Sequence, residues 1–542
     1  MRLFNKKIPD LPEIPEEEQN PLLKNVLEIC SFQKEQLALQ NEIIQGLKDE
    51  IARLKGEKPK PDIKPSKLEK GSGKNSGNSD NNKKSEKRPG SKKRKKNRHL
   101  EIHETIPVAP ENIPKESRFK GYDDYIVQGL VIKPHNIRFR LQRWQTPSGG
   151  YITGKLPDHI KSHYDLGLVR YILHQYYHAD VTQPLILEQL LEFGIDISSG
   201  QVNRIINENK DIFHVEKDEI LAAGLEVSDY VHVDDTGARH QGQNGYCTHI
   251  GNELFAWFES TQSKSRINFL TLLRGKHSDY VLSEEAFEYM QAQKLPQKVI
   301  LPLSELKAKK FQDEREWNSS LKALGIVSKR HVRIATEGAL MGSVLEHGFN
   351  PEMAIISDDA GQFDIFLHAL CWIHAERTIN KLVGFNEQQR QAVVDIQDQL
   401  WNFYSDLKSY KENPDPTFKK KLEEQFDQLF TTRTCFASLN LALDRIYKNK
   451  SELLLVLQRP EIPLHNNLSE NDIRGYVKKK KISGGTRSEN GRRCRDTFSS
   501  LKKTCRKLGI SFWDYLKDRL SGNNSIPLLS DCIRHRAKAS AG

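Results

Sequence analysis

Two stretches constrain this chain more than any others: "YVHVDDTGARH" at residues 230–240 and "AIISDDAGQF" at residues 354–363. Each is an apolar run of strand length leading into two adjacent acids, Asp234 and Asp235 in the first, Asp358 and Asp359 in the second. The C-terminal ends of strands in a mixed sheet are where ligands bind, and the strands behind them hold the geometry rigid. Two or three carboxylates gathered there suit divalent ions about 4 Å apart, one at the attacking and one at the leaving oxygen of a phosphodiester. All-oxygen donors suit Mg2+ or Mn2+, whereas zinc calls for Cys or His, and no His pair with ligand spacing stands beside these acids. Taken alone, either pair also reads as an ordinary polar turn.

A third acid, Glu470, lies in "HNNLSENDIRGYVKKKKIS" at residues 465–483. Asn467 and Glu470 have the spacing of a capping box, in which the Glu satisfies a free backbone N–H at a helix start. Arg474, Lys478 and Lys481 follow four, eight and eleven residues later on the same helical face. A carboxylate leading a basic stripe suits a helix lying along a phosphate backbone, so these three are candidate DNA-binding residues. Residue types alone leave both the cap and the ligand reading of Glu470 standing.

The net charge of +11 is concentrated. Between Gly56 and Leu100, sixteen Lys or Arg face five Asp or Glu, an excess equal to that of the whole chain. A second block from Arg474 to Lys507 holds thirteen basic residues against Glu489 and Asp496. Two cationic segments point to a polyanion, most simply nucleic acid, although each alone also fits a solvated face. The cluster Lys92, Lys93, Arg94, Lys95 and Lys96 is the densest DNA-binding candidate. The seven cysteines form no CxxC pair, which fits a reducing compartment and argues against a structural zinc module. No apolar run approaches the ~18 residues of a membrane span, and the start "MRLFNKKIPD" lacks a signal-peptide apolar region. A soluble, cytoplasmic protein is expected.

The chain reads as six segments. Residues 1–55 carry apolar residues near heptad positions, among them Leu37, Ile44, Leu47, Ile51 and Leu54, predicting a coiled coil and hence a homo-oligomer. Residues 56–100, rich in Lys, Gly, Ser, Asn and Pro, predict a disordered basic linker. Residues 101–160 alternate in the β manner ("YIVQGLVI", "IRFRLQRW", "GGYITGKL") and predict a small β module of hairpins. Residues 161–225 are helical, with a helix, a turn at Gly194 and a second helix capped by Ser198 or Ser199. That pattern fits a helix-turn-helix that binds DNA or a plain helical hairpin. Residues 226–520 turn α/β, with insertions at about 280–345 and 386–455, the latter wholly helical, and 521–542 form a tail.

The order of these motifs resembles the ribonuclease-H-like core of DDE transposases, and in detail the insertion-sequence sixty-six family. "HVDDTG" is similar to its Asp-Glu-Thr signature, and "SDDAGQF" followed by "CWIHAER" to its Asp-Gly segment and Cys-Trp-x-His-x-x-Arg helix. "HNNLSENDIRGYVKKKKISGG" is similar to its closing Asp-Asn-Asn-x-x-Glu-x-x-x-Arg segment. The resemblance covers most of the chain. It implies Asp234, Asp358 and Glu470 as catalytic metal ligands, with Asp235 where the family has Glu and Asp359 where Gly is usual. Phe363 falls at an aromatic position, and Cys371, Trp372, His374 and Arg377 match the helix, although taken alone they read as core packing. His465 replaces the motif's leading Asp. The family's cysteine pairs after the linker are missing, so no zinc is expected there. The 124 residues between Asp234 and Asp358 make a long span, which places an insertion around 280–345.

The function so implied is that of a transposase. It would bind terminal inverted repeats, cleave DNA with Mg2+ or Mn2+, and join the freed 3′ hydroxyl to target DNA by in-line displacement. The alternative is a catalytically silent, transposase-derived DNA-binding regulator.

Overall fold

The computed structural model describes residues 101–541 apart from 116, 158, 159 and 161. The expected coiled coil and basic linker, including Lys92, Lys93, Arg94, Lys95 and Lys96, lie outside the described residues. Two units are distinguished, one ending at His135 and one beginning at Asn136. In the first, the described residues from 101 on are exposed and contain no strand or helix. The expected set of hairpins is therefore corrected: "YIVQGLVI" is not a strand, and Val127, Leu130 and Val131 are each about four-fifths exposed. Period-two alternation specifies a strand only where a partner buries one face, and here none does. One of the expected hairpins forms, in the second unit, β1 (Arg143–Gln145) with β2 (Tyr151–Thr153).

Helices then run Leu166–Leu173, Gln183–Glu192, Ser199–Asn207 and Asp211–Val227. Gly194 has φ +78°, and the Ser198 hydroxyl accepts from Gln201 N–H at 3.2 Å, so the turn and cap expected around the second helix of the pair are both formed.

The central sheet has five strands in the order β5-β4-β3-β8-β9. β3 (Tyr230–His240), β4 (Gln243–Gly251) and β5 (Ala256–Thr261) form an antiparallel meander. Two short strands, β6 (Tyr280–Val281) and β7 (Lys310–Phe311), pair separately. β8 (Ala354–Ser357) and β9 (Leu367–Leu370) complete the sheet in parallel. β3 does not end at its acids as the sequence suggested. Gln241 (φ 48°) and Gly242 (φ 80°) form a two-residue turn that keeps the residues beyond Asp234 paired with β4.

The span between β5 and β8 holds five helices: Arg266–Leu273, Glu284–Ala292, Gln297–Ser304, Glu314–Ala323 and Lys329–Glu346. It shares one apolar core with the inward sheet residues Val231, Val233 and Ile355. The span after Trp372–Asn380 is helical as expected, with Glu387–Glu412, Pro416–Thr431 and Ala437–Lys448. These enclose a second core around Trp372, Phe403 and Phe426. Asn467–Ser483, Glu489–Lys507, Phe512–Ser521 and Leu529–Ala541 close the chain. Among the described residues no helix is long and apolar enough to cross a membrane.

The edge strand β5 is sealed by side chains. Ala256, Phe258 and Ser260 donate their N–H groups to Thr504 Oγ1 (3.1 Å), Ser500 Oγ (2.9 Å) and Asp496 Oδ2 (2.8 Å). The three acceptors are spaced by four along Glu489–Lys507, one stripe of a helix meeting alternate amides of a strand. The later part of the second basic block thus lies on a helix whose other face is a structural cover.

Candidate active site

β3 and β8 pair in parallel from Tyr230↔Ala354 to His232↔Ile356. Continuing that register by two residues brings Asp358 abreast of Asp234, the same 124-residue offset separating both pairs. Alternation gives Asp234 the face of His232, and Asp235 the opposite one. Asp235 is held there by the Thr248 hydroxyl and by Gln362 Nε2 at 3.0 Å. Asp359 pairs with Arg445, which comes from the helical insertion.

The Asn467–Ser483 helix lies across the Asp234 face. His249, the cross-strand partner of Asp234, bonds Ser469 Oγ through Nδ1 at 2.7 Å, and Ile473 and Tyr476 pack on Cys247 and Phe258. Both ends of the helix are tied to β3. At its start, buried Asn466 bonds His232 Nδ1 through Oδ1 (2.9 Å) and donates from Nδ2 to the Val233 carbonyl (2.8 Å). Its own N–H reaches Cys371 Sγ at 3.1 Å. Beyond its end, Thr486 N–H donates to the Arg239 carbonyl (2.9 Å) and Gln241 N–H to the Thr486 carbonyl (2.8 Å). Gly485 is required by this junction, because a Cβ there would stand 2.5 Å from the Arg239 carbonyl oxygen.

Glu470 is not the capping residue that its spacing suggested. Asn466 is the N-cap position, without a side-chain cap bond, and the Glu470 carboxylate turns to cations instead. Arg377 Nη1 lies 3.1 Å from Glu470 Oε1, His374 Nε2 3.7 Å from the same oxygen, and Arg474 Nη2 3.7 Å from Oε2. The helix Trp372–Asn380 thereby divides its motif. Cys371 and Trp372 are core, the indole donating to the Leu453 carbonyl at 2.9 Å, while His374 and Arg377, three residues apart, share the face toward Glu470. Reading the whole motif as core missed this half; the spacing of three was the available signal. Arg445, from a distant helix, had none.

The acids sense one another. Burial, then the neighbouring charges of Asp358, Asp235 and Glu470, push the Asp234 carboxyl up to about 7, against the pull of the Asp235 N–H on its Oδ1 at 2.8 Å. Asp358 Oδ1, His374 Nδ1 and Arg377 Nε are buried with no hydrogen-bond partner among the described residues. Mutually repelling carboxylates and an orphaned carboxylate oxygen fit a divalent cation. The described residues contain no group of three or more His, Cys, Asp and Glu side chains already arranged to hold one, and Glu470 is engaged by Arg377.

On the same helix, Arg474, Lys478 and Lys481 are all exposed, as the stripe predicts, with Arg474 70% exposed at its side chain. Lys478 also pairs with Asp180 at 3.2 Å. Lys479, one position off the stripe, is buried instead, its ammonium 3.7 Å from the centre of the Tyr176 ring.

The family model described as "Transposase IS66 family" matches residues 355–493, which include Asp358, the His374 and Arg377 helix and Glu470. An uncharacterized protein, y4jO, of Sinorhizobium fredii is 44% identical over 303 residues, covering 56% of this chain and 94% of that protein. With Asp358 and the Arg377–Glu470 pair inside the matched region, the chain belongs to the IS66 family of transposases.

Proposed function

We propose that the protein is a DDE transposase that cleaves DNA at the terminal inverted repeats of its insertion sequence and joins the freed 3′ end to target DNA. The observation that supports this reading is the helix bearing Glu470, which is tied to β3 through Asn466 and packs on the face of the sheet that carries Asp234, with Asp358 just past the end of neighbouring β8. The sheet order, with the first acid on the central strand and the second just past the end of the strand parallel to it, supports a ribonuclease-H-like core.

Asp234, Asp358 and Glu470 would hold Mg2+ or Mn2+, which supplies activation of the attacking oxygen and stabilisation of the leaving one. The chain's own contribution is placement. β3 carries Asp234 in its paired backbone, β8 ends one residue before Asp358, and the doubly tied helix brings the backbone of Glu470 to the same face. Near neutral pH Asp234 retains part of its proton, which a cation must displace. Thr248 and Gln362 keep Asp235 on the other face, and Arg445 engages Asp359.

Exposed Arg474, Lys478 and Lys481 continue from Glu470 along its helix and would follow the DNA backbone away from the cut. The cluster Lys92, Lys93, Arg94, Lys95 and Lys96 would hold DNA without sequence preference, and the N-terminal heptads would join copies of the chain into a homo-oligomer. The test is incubation of the full chain with repeat-bearing DNA and Mg2+. Cleavage that stops on chelation and is missing in Asp234→Asn supports the reading. Repeat binding with no cleavage under any divalent ion would favour the silent regulator.

A further inference from the structure

Glu470 already has a cationic partner. Arg377 Nη1 meets it at 3.1 Å, and the two side chains are only 20% and 17% exposed, so water screens the pair weakly. His374 Nε2 stands 3.4 Å from Arg377 Nη1 and 3.7 Å from the same Glu470 oxygen, and exposed Arg474 lies 3.7 Å from the other one. Meanwhile Asp358 keeps a buried oxygen with no hydrogen-bond partner among the described residues, and no set of three ligands is assembled among them. The helix carrying Glu470 is tied to β3 at Asn466 and again at Gly485 and Thr486. A shift of the helix is thereby opposed, and the Glu470 side chain is what remains free to move.

We propose that Arg377, steadied by His374, is a latch that competes with the divalent cation for Glu470 and withholds the third acid from Asp234 and Asp358. This rests on the reading of the three acids as a cation site, and it assigns Arg377 a positioning role through Glu470. The Arg377 guanidinium neutralises the Glu470 charge and holds its Oε1, so removing the guanidinium frees both charge and oxygen for the cation. A residue that merely supported the fold would act in the opposite direction, since its loss would loosen the site.

The experiment is Mn2+ binding to the full chain without DNA, followed by calorimetry, with near-ultraviolet dichroism to check folding. Arg377→Gln should bind Mn2+ about tenfold more tightly than the unaltered chain. Arg377→Lys, which keeps a charge but loses the planar fork, should fall between them. Adding Glu470→Gln to Arg377→Gln should erase the gain. Unchanged or weaker Mn2+ binding in Arg377→Gln, with Asp234→Asn still weakening it, would overturn the latch and leave the cation site standing. If Arg377→Gln does not fold, Arg377→Lys decides in the same way. Mn2+ binding indifferent to Asp234→Asn would overturn the cation site and the latch together.

Discussion

Asp234 and Asp358 each follow by two residues the last parallel pair of β3 and β8, His232 and Ile356, so the register continued would set them abreast. The relation explains the doubled acids. Adjacent strand residues face opposite sides, so Asp234 can look toward Glu470 only if Asp235 looks away, and Asp235 is found on Thr248 and Gln362. Asp235→Asn and Asp359→Asn should therefore keep DNA cleavage within about tenfold of the unaltered chain, a barrier change of about 1.4 kcal/mol or less. A single-turnover cleavage assay checks this, and a loss in either as deep as in Asp234→Asn would mean the facing residue has been misassigned.

Asn466 joins the Glu470 helix to β3, so its effect should be on stability and activity together. Asn466→Ala leaves His232 Nδ1 and the Val233 carbonyl without that partner in a buried setting, at about 1–3 kcal/mol for each orphaned group. Denaturant unfolding should show the loss, and the surviving folded protein should cleave more slowly. A stability equal to that of the unaltered chain would remove Asn466 from this role.

Lys479 should give the protein a measurable pH dependence away from the acids. Burial, the largest influence, holds its ammonium down to about 7 from an ordinary value of 10.5. Between those values the unfolded chain binds a proton that the folded chain does not, so the stability of the unaltered protein should rise with pH relative to Lys479→Met. The difference should grow by up to a few kcal/mol from about pH 7 towards about pH 10. Unfolding curves for the two proteins that run parallel across this range would contradict it.

The basic linker is testable through its salt dependence. Changing Lys92, Lys93, Arg94, Lys95 and Lys96 to Ala should flatten the dependence of DNA affinity on salt, by a slope of up to about 0.9 for each phosphate no longer neutralised. An identical slope would make the cluster a solvated tether.

The sequence disclosed the parts of the site that rest on periodicity and local spacing. The doubled acids after apolar runs marked β3 and β8, and the basic stripe after Glu470 marked an exposed helix face, because both patterns follow from the geometry of one element. It misjudged what depends on the meeting of distant segments. β3 continues past Asp235 because β4 pairs with it to His240, which the residues Thr236 to His240, without an apolar alternation, do not announce. "YIVQGLVI" alternates like a strand yet pairs with no strand among the described residues. The capping-box spacing of Asn467 and Glu470 is real, but Arg377, 93 residues earlier, takes the carboxylate.

The central claim is that Asp234, Asp358 and Glu470 act as one set, and the direct measurement is single-turnover cleavage of repeat-bearing DNA in Mg2+ by Asp234→Asn, Asp358→Asn, Glu470→Gln and the three paired variants. Groups that act as a unit are non-additive, so each single change should cost more than about a hundredfold and each pair no more than its worse member. All six proteins should fold and bind the DNA. Near-normal cleavage by Glu470→Gln, or losses that multiply between Glu470 and either aspartate, would contradict the account.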